Sequence, residues 1–183
     1  MAETTTGRTA APPGEPLDTG RGARAGMAAV RIAVGLLWIA NSGWKTPPDF
    51  GQDEGRGLYR YVEYAVEYPV FPPFSWVMEN LVMPNFVLFG YVTLLLEASL
   101  GAFLLVGLAT RLWALLGMVQ VVAITLSVLN APNEFPWTYY MMFAAHVAIF
   151  ATAAGRTAGV DGLLRPVWRR SPGRLSTLLL RAS

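Results

Sequence analysis

The chain has 183 residues, of which 54% are apolar and only 14% are charged. Soluble domains carry about 25% charged residues, so the lack of polar surface argues against a soluble protein. The net charge of +2 is too small to indicate nucleic acid binding. The chain has no cysteine, which excludes disulfides and thiolate chemistry, and its single histidine argues against a protein-built zinc or copper site.

Four apolar segments are each long enough to cross a bilayer, which takes about 20 mostly apolar residues. In chain order they are residues 27–44, 85–108, 112–129 and 135–154. Short connections at 109–111 and 130–134 make the last three segments antiparallel neighbours. The sequence therefore predicts an all-α integral membrane protein, with a four-helix bundle forming one membrane domain over residues 25–164.

The segments outside the spans differ in character. Residues 1–24 are expected to form a disordered tail, because they are rich in Thr, Gly and Pro. In the loop over residues 45–84, Tyr61, Tyr64 and Tyr68 share one helical face, which predicts a short interfacial helix. A second short interfacial helix is expected over residues 74–82, and the loop is either a lid over a site or a structural cap. Residues 165–183 form a basic tail that anionic lipid should attract by about 1 kcal/mol per charge.

Arginine residues lie mainly on one side of the predicted spans. They are Arg21, Arg24, Arg111, Arg156, Arg165, Arg169, Arg170 and Arg174. The positive-inside rule then places both termini in the cytoplasm and the protein in the inner (plasma) membrane as a multi-pass protein. A cleaved signal peptide is the alternative for the first segment, but Arg31 interrupts the apolar run and no cleavage site follows it.

Three ionisable residues lie inside the predicted spans: Arg31 in the first, Glu97 in the second and His146 in the fourth. A charge at the bilayer centre costs about 2.5–3.5 kcal/mol or more, so such residues are functional hypotheses by default. Glu97 and His146 both lie near mid-span and should be at similar depth. Structural alternatives exist for each, since Arg31 can snorkel, Glu97 can bridge helices and His146 can be a core histidine.

Helical spacing places these residues on faces suited to the interior of a bundle. On the first helix one face carries Arg31, Gly35, Trp38, Ser42 and Lys45, and on the third Gly117 and Gln120 align. Small residues allow helices to approach closely, and polar residues bond across them. The sequence therefore predicts one polar pocket near mid-membrane with aromatic walls.

The predicted ligand of this pocket is a quinone headgroup, either menaquinone or ubiquinone. Reducing a quinone requires protons as well as electrons, and a histidine can deliver protons near neutral pH. Glu97 and His146 are therefore the candidate catalytic residues. The candidate binding residues are Arg31, Trp38, Lys45, Gln120 and Trp137.

Three blocks of sequence match a known pattern. The first is Arg31-Ile-Ala-Val-Gly-Leu-Leu-Trp38 with Gly43-Trp-Lys45, and the second runs from Glu97 to Leu105-Val-Gly-Leu-Ala-Thr-Arg111. The third contains Trp137, His146 and Ala154-Gly-Arg-Thr-Ala-Gly-Val-Asp161. With these blocks the sequence resembles the DoxX/DoxD family of small bacterial four-helix membrane proteins, and its long aromatic loop is more similar to DoxD.

The resemblance implies a membrane subunit of a quinone-linked oxidoreductase, since DoxD is associated with thiosulfate:quinone oxidoreductase. It also implies a partner subunit, besides the membrane lipids around the chain. The sequence contains no redox-cofactor motif, which favours a second hypothesis, a non-catalytic scaffold or assembly partner of another membrane complex. Whether this chain itself performs catalysis is left open between the two.

Overall fold

The computed structural model describes residues 20–171 and 173–183, and every regular element in them is helical. The helices are α1 (Arg21–Ser42), α2 (Gly57–Glu67), α3 (Pro72–Val77), α4 (Phe86–Val106), α5 (Thr110–Val128), α6 (Pro136–Thr152), α7 (Val160–Arg170) and α8 (Arg174–Ala182). Each predicted span overlaps one of the helices α1, α4, α5 and α6. Helix α1 begins at Arg21, so residues 21–24 of the predicted tail are helical, and residues 1–19 of that tail lie outside the described residues.

Three helices of the described residues are long and apolar enough to cross a membrane. They are Arg21–Ser42, the continuous helix Pro72–Val106, and Thr110–Val128. Helix α6 has 17 residues, which is about 26 Å at 1.5 Å per residue and is shorter than the hydrocarbon core of about 30 Å. The chain is therefore an all-helical membrane protein, and α6 is the shortest of its four long helices.

The segment before α4 differs from the prediction of a separate short helix. Residues Pro72–Val106 form one helical run of 35 residues, with a π-helical turn over Met78–Val82 and a 3₁₀ turn over Met83–Asn85. Pro84 has no N–H for an α-helical bond, and its ring would clash with the carbonyl four residues earlier. The wider π turn, in which Met83 N–H donates to the Met78 carbonyl, absorbs this clash and keeps the helix continuous.

Helix α2 packs inward with an apolar stripe of Leu58, Val62 and Ala65. These residues join Phe50, Met78, Val82 and Phe86 in a small hydrophobic core. On another face of α2 the rings of Tyr61, Tyr64 and Tyr68 follow one another at 6.2 and 5.9 Å between centroids. The loop between α1 and α4 is thus a folded layer with its own core.

The helices connect two structurally different ends of the molecule, the loop end and the tail end. The loop end carries residues 43–85 and 129–135, where Asn130 Nδ2 donates to the Pro69 carbonyl at 3.0 Å. The tail end carries residues 107–109, 153–171 and 173–183, where the Asp161 N–H donates to the Gly107 carbonyl at 2.8 Å. The main core, with Trp38, Leu100 and Leu104 among its residues, lies between them.

Candidate functional site

Helix α1 and the turn that follows it supply four polar side chains that contact neighbouring helices. Arg31, Trp38 and Lys45 follow one another at intervals of seven residues, and Asn41 lies between the last two. Seven residues are close to two helical turns, so Arg31 and Trp38 lie on the same side of α1, and Lys45 follows three residues after the helix ends at Ser42. The face points at α4 and α6, and it contacts a different polar partner at each level.

The central feature of the site is an ion pair between Lys45 and Glu97. Lys45 Nζ lies 2.5 Å from Glu97 Oε2, and the two side chains are 2% and 1% exposed. Asn41 Nδ2 donates to Oε2 and Gln120 Nε2 donates to Oε1, each at 3.1 Å. Three donors therefore bind the carboxylate: Asn41 on α1, Lys45 just beyond the end of α1, and Gln120 on α5. A buried charge requires partners of this kind.

Lys45 also contacts two residues at the end of α1, Asn41 and Trp44. Its Nζ donates to the Asn41 carbonyl at 2.9 Å and lies 4.1 Å from the ring centre of Trp44. An ammonium group has three donors, and the Asn41 carbonyl and Glu97 account for two of them. One N–H of Lys45 is left for another acceptor.

A cavity of about 300 Å³ adjoins this ion pair at the loop end. Lys45, Glu97, Asn41 and Gln120 form its polar wall. Its other lining residues are mostly apolar or aromatic and include Trp44, Tyr61, Val62, Met78, Phe89 and Met142. The site thus combines an apolar chamber with one buried charged pair and two amides.

His146 lies apart from this cavity and is paired with Trp38. The Trp38 indole N–H donates to His146 Nε2 at 2.9 Å, and His146 Nδ1 lies 2.7 Å from the Met142 carbonyl. Because an indole nitrogen only donates, Nε2 is the acceptor and the proton of the neutral ring is assigned to Nδ1. Both ring nitrogens are therefore occupied, and within the described residues His146 shares no hydrogen bond with Glu97.

Arg31 lies at the tail end, away from the cavity. Its guanidinium donates to the carbonyls of Leu104 and Leu105 at 2.5 and 2.9 Å, and to Ala158 at 2.9 Å. The first two carbonyls belong to the last turn of α4, where carbonyls lack helical partners and a cation is favourable. Arg31 is thus a buried cap of α4.

Asp161 caps the start of the next helix, α5, where it binds N–H groups instead of carbonyls. Its carboxylate accepts from the N–H groups of Ala109 and Thr110 at 2.7 and 2.9 Å, at the start of α5. A carboxylate at this position satisfies free N–H groups and complements the helix dipole. The sequence blocks around Leu105–Arg111 and Ala154–Asp161 therefore meet in one structural clamp at the tail end.

The structure brings together three of the seven predicted site residues, namely Lys45, Glu97 and Gln120. Trp38 and His146 form a separate buried pair, Arg31 caps α4, and Trp137 is 63% exposed and does not line the cavity. Asn41 was missed, although its position between Trp38 and Lys45 was a usable signal. Tyr139 was also missed; it lines the cavity and donates a short hydrogen bond to Glu134.

The fold and the site define an all-helical membrane protein with a charged pair buried beside an internal cavity. The chain belongs to the DoxD family, described as the TQO small subunit DoxD, which it matches over residues 27–179. No curated protein and no solved structure gave a significant match to the chain.

Proposed function

We propose that this protein is the membrane subunit of a quinone-linked oxidoreductase of the thiosulfate:quinone type, and that the loop-end cavity binds the quinone headgroup. The observation that carries the proposal is the buried Lys45–Glu97 pair in the wall of an otherwise apolar chamber. Membership of the DoxD family, whose description is that of a small subunit, supports both the reaction class and a partner subunit.

The cavity suits a quinone ring in size and in chemistry. Small-molecule sites measure about 300–1,000 Å³ and are mostly apolar with a few polar groups. At about 300 Å³ this cavity takes a ring, while a long apolar tail would extend toward lipid. The remaining Lys45 N–H and the second amide N–H of Gln120 are donors of the kind that a quinone carbonyl requires.

The chain's own residues would bind the ring and handle protons. A bound quinone supplies the capacity to accept two electrons and two protons. Lys45 would orient one carbonyl and favour negative charge there, and the Glu97 carboxylate would take up protons and pass them to the ring from the same wall. Gln120 would keep the Glu97 carboxyl directed at Lys45.

Trp38, His146, Arg31 and Trp137 take different roles in this proposal from those first predicted. Trp38 and His146 would act as positioning residues, because their bond fixes α1 against α6 one turn from Asn41. Arg31 would fix the tail end of α4, and Trp137 would lie at the membrane interface. Electrons would come from a partner subunit or a substrate, because the sequence carries no redox-cofactor motif.

We also propose the arrangement of the chain in the plasma membrane. Helices α1, α4, α5 and α6 would each cross it as a four-helix bundle, with α2 and α3 lying at the outer interface. The arginine distribution would then place both termini in the cytoplasm.

The test is the quinone content of purified protein. The protein would be purified in mild detergent, and menaquinone and ubiquinone would be quantified per chain. The test variant is the double substitution Lys45→Met/Glu97→Gln, which removes both charges together. We expect roughly stoichiometric quinone in the wild type and about 10–100-fold weaker binding in the variant, because a hydrogen bond to a charged group contributes about 1.5–3 kcal/mol.

The control is Arg60→Met/Glu63→Gln, which removes an ion pair of 2.9 Å that is partly exposed on α2. It should leave the quinone content unchanged. Quinone at the level of bulk membrane lipid in the wild type, or equal loss in both variants, would contradict the proposal. The non-catalytic scaffold would then be favoured, and co-purifying proteins would be the next object of study.

A further inference from the structure

A second concave site opens at the tail end, between the last turn of α4 and the start of α7. This groove measures about 510 Å³, and Val106, Val160, Leu163 and Arg156 are among its lining residues. Val106 is 48% exposed and Leu163 is 76% exposed. Large apolar side chains beside an arginine are the surface chemistry that a lipid needs, with its tail against the former and its headgroup at the latter.

Arg156 belongs to a group of converging arginines, which we call the tail arginine cluster: Arg111, Arg156, Arg165 and Arg169. Arg156 Nη2 and Arg165 Nη1 donate to the same Ser183 carbonyl at 3.1 and 3.0 Å. Burial lowers the pKa of Arg156, and the positive charges of Arg165, Arg111 and Arg169 lower it further. Arg156 therefore lies within range of three other positive charges.

In the part of the chain that the structure describes, Arg156 and Arg165 are held by oxygens of Ser183 and Leu180 rather than by an Asp or Glu side chain. No side-chain carboxylate of residues 20–171 or 173–183 forms a salt bridge with any of the four arginines. The nearby Asp161 already accepts from two backbone N–H groups at the start of α5. Like charges held together in this way favour an external anion.

The helices around the cluster present an apolar surface of their own. Leu163 and Val167 on α7, and Leu175 and Leu178 on α8, are 56–76% exposed. They lie on short helices that also carry several arginines, a composition typical of helices that lie in the membrane interface. A free phosphate would not use these apolar side chains, whereas a phospholipid would.

We propose that the tail arginine cluster binds the phosphate of an anionic phospholipid, with an acyl chain lying along Val106 and Leu163. This site is separate from the cavity at the loop end and does not depend on the proposed quinone reaction. Its ligand is a membrane lipid of defined charge, and it would fix α7 and α8 against the end of α4.

The test uses the full-length protein, delipidated in detergent, and measures its thermal unfolding midpoint. Mixed micelles containing phosphatidylglycerol are expected to raise the midpoint by about 5 °C relative to phosphatidylcholine, because a ligand that binds the folded state stabilises it. Arg156→Gln/Arg165→Gln should abolish this difference. The matched control, Arg170→Gln/Arg174→Gln, removes two exposed arginines of the same helices and should retain it.

Three results would overturn the proposal. They are an equal midpoint in the two lipids, an equal loss in the control variant, and an equal rise with inorganic phosphate, which would indicate a free anion site. If the double glutamine variant does not fold, Arg156→Lys/Arg165→Lys keeps the charges and loses the planar fork of donors. We expect that variant to lose at least half of the lipid-dependent shift, and an unchanged shift would also contradict the site.

Discussion

At the scale of single residues, Lys45 and Glu97 depend on each other for their burial. Replacing Lys45 with Met leaves a carboxylate without its cation, a change that costs about 3–5 kcal/mol when a buried pair is broken from one side. We expect Lys45→Met alone to destabilise the folded protein by that amount. Adding Glu97→Gln should restore most of the loss, because the amide removes the unpaired charge. Unfolding of the wild type, Lys45→Met and Lys45→Met/Glu97→Gln in detergent would measure this.

Comparing the single and double variants tests the charge directly, because Glu and Gln at position 97 are close in shape and differ in charge. A loss below about 1 kcal/mol in Lys45→Met would contradict a charged pair, since pairs of that strength are typical of exposed sites. Failure of Glu97→Gln to rescue the variant would show that Lys45 is held mainly by its contacts with Asn41 and Trp44.

The sequence identified the residue types of the site better than their grouping. Glu97, Lys45 and Gln120 were predicted and meet at the cavity. On α1, helical spacing favoured Ser42 as well as Lys45, yet Asn41 reaches Glu97 while the Ser42 hydroxyl bonds the Ile39 carbonyl of its own helix. Residues 41 and 42 lie on either side of the same face, and the rotation of α1, which spacing alone does not fix, selects between them.

At the scale of helices, the contact of α1 with α4 depends on two glycines. A Cβ at Gly35 would lie 2.7 Å from the Leu105 nitrogen, and one at Gly101 would lie 3.0 Å from the Ile39 nitrogen. Backbone atoms cannot move aside as flexible side chains do. The glycines therefore let the two helices approach closely enough for the partners of Arg31 and Lys45 to be reached.

Gly35→Ala is expected to destabilise the protein by about 1–3 kcal/mol through overpacking. Gly22→Ala in the same helix is the control, because a Cβ there meets nothing within 4 Å. That change should be neutral or stabilising by up to about 1 kcal/mol, since alanine favours helix. Thermal unfolding in detergent compares the two, and an equal response at both positions would mean that the α1–α4 contact is not close-packed.

The helix boundaries were predicted closely except at the start of α1 and in the segment before α4. The predicted spans agree with α1, α4, α5 and α6 to within a few residues, except that α1 begins six residues earlier than expected. The continuity of Pro72–Val106 was not predicted, because Pro84 normally ends a helix. The π-helical turn over Met78–Val82, just before Pro84, keeps the chain helical there.

At the scale of the whole molecule, the number of membrane crossings determines which side each loop faces. Because the chain has no cysteine, single cysteines at exposed positions report topology directly. With four crossings, Gln52→Cys should react with a membrane-impermeant maleimide in intact cells, and Ser171→Cys only after permeabilisation. If α6 does not cross, both positions react on the same side, and labelling of Ser171→Cys alone would reverse the proposed orientation.

The face of α1 also determines how the protein must be assembled. Arg31 and Lys45 are synthesised more than 50 residues before Glu97 and the carbonyls of α4 that receive them. During translation the first helix and its end therefore leave the ribosome with two cations but without their partners on α4. Helix α1 can reach its final position in the bilayer only after α4 has inserted. A nascent chain stopped between α1 and α4 should therefore insert poorly and be degraded early by membrane proteases.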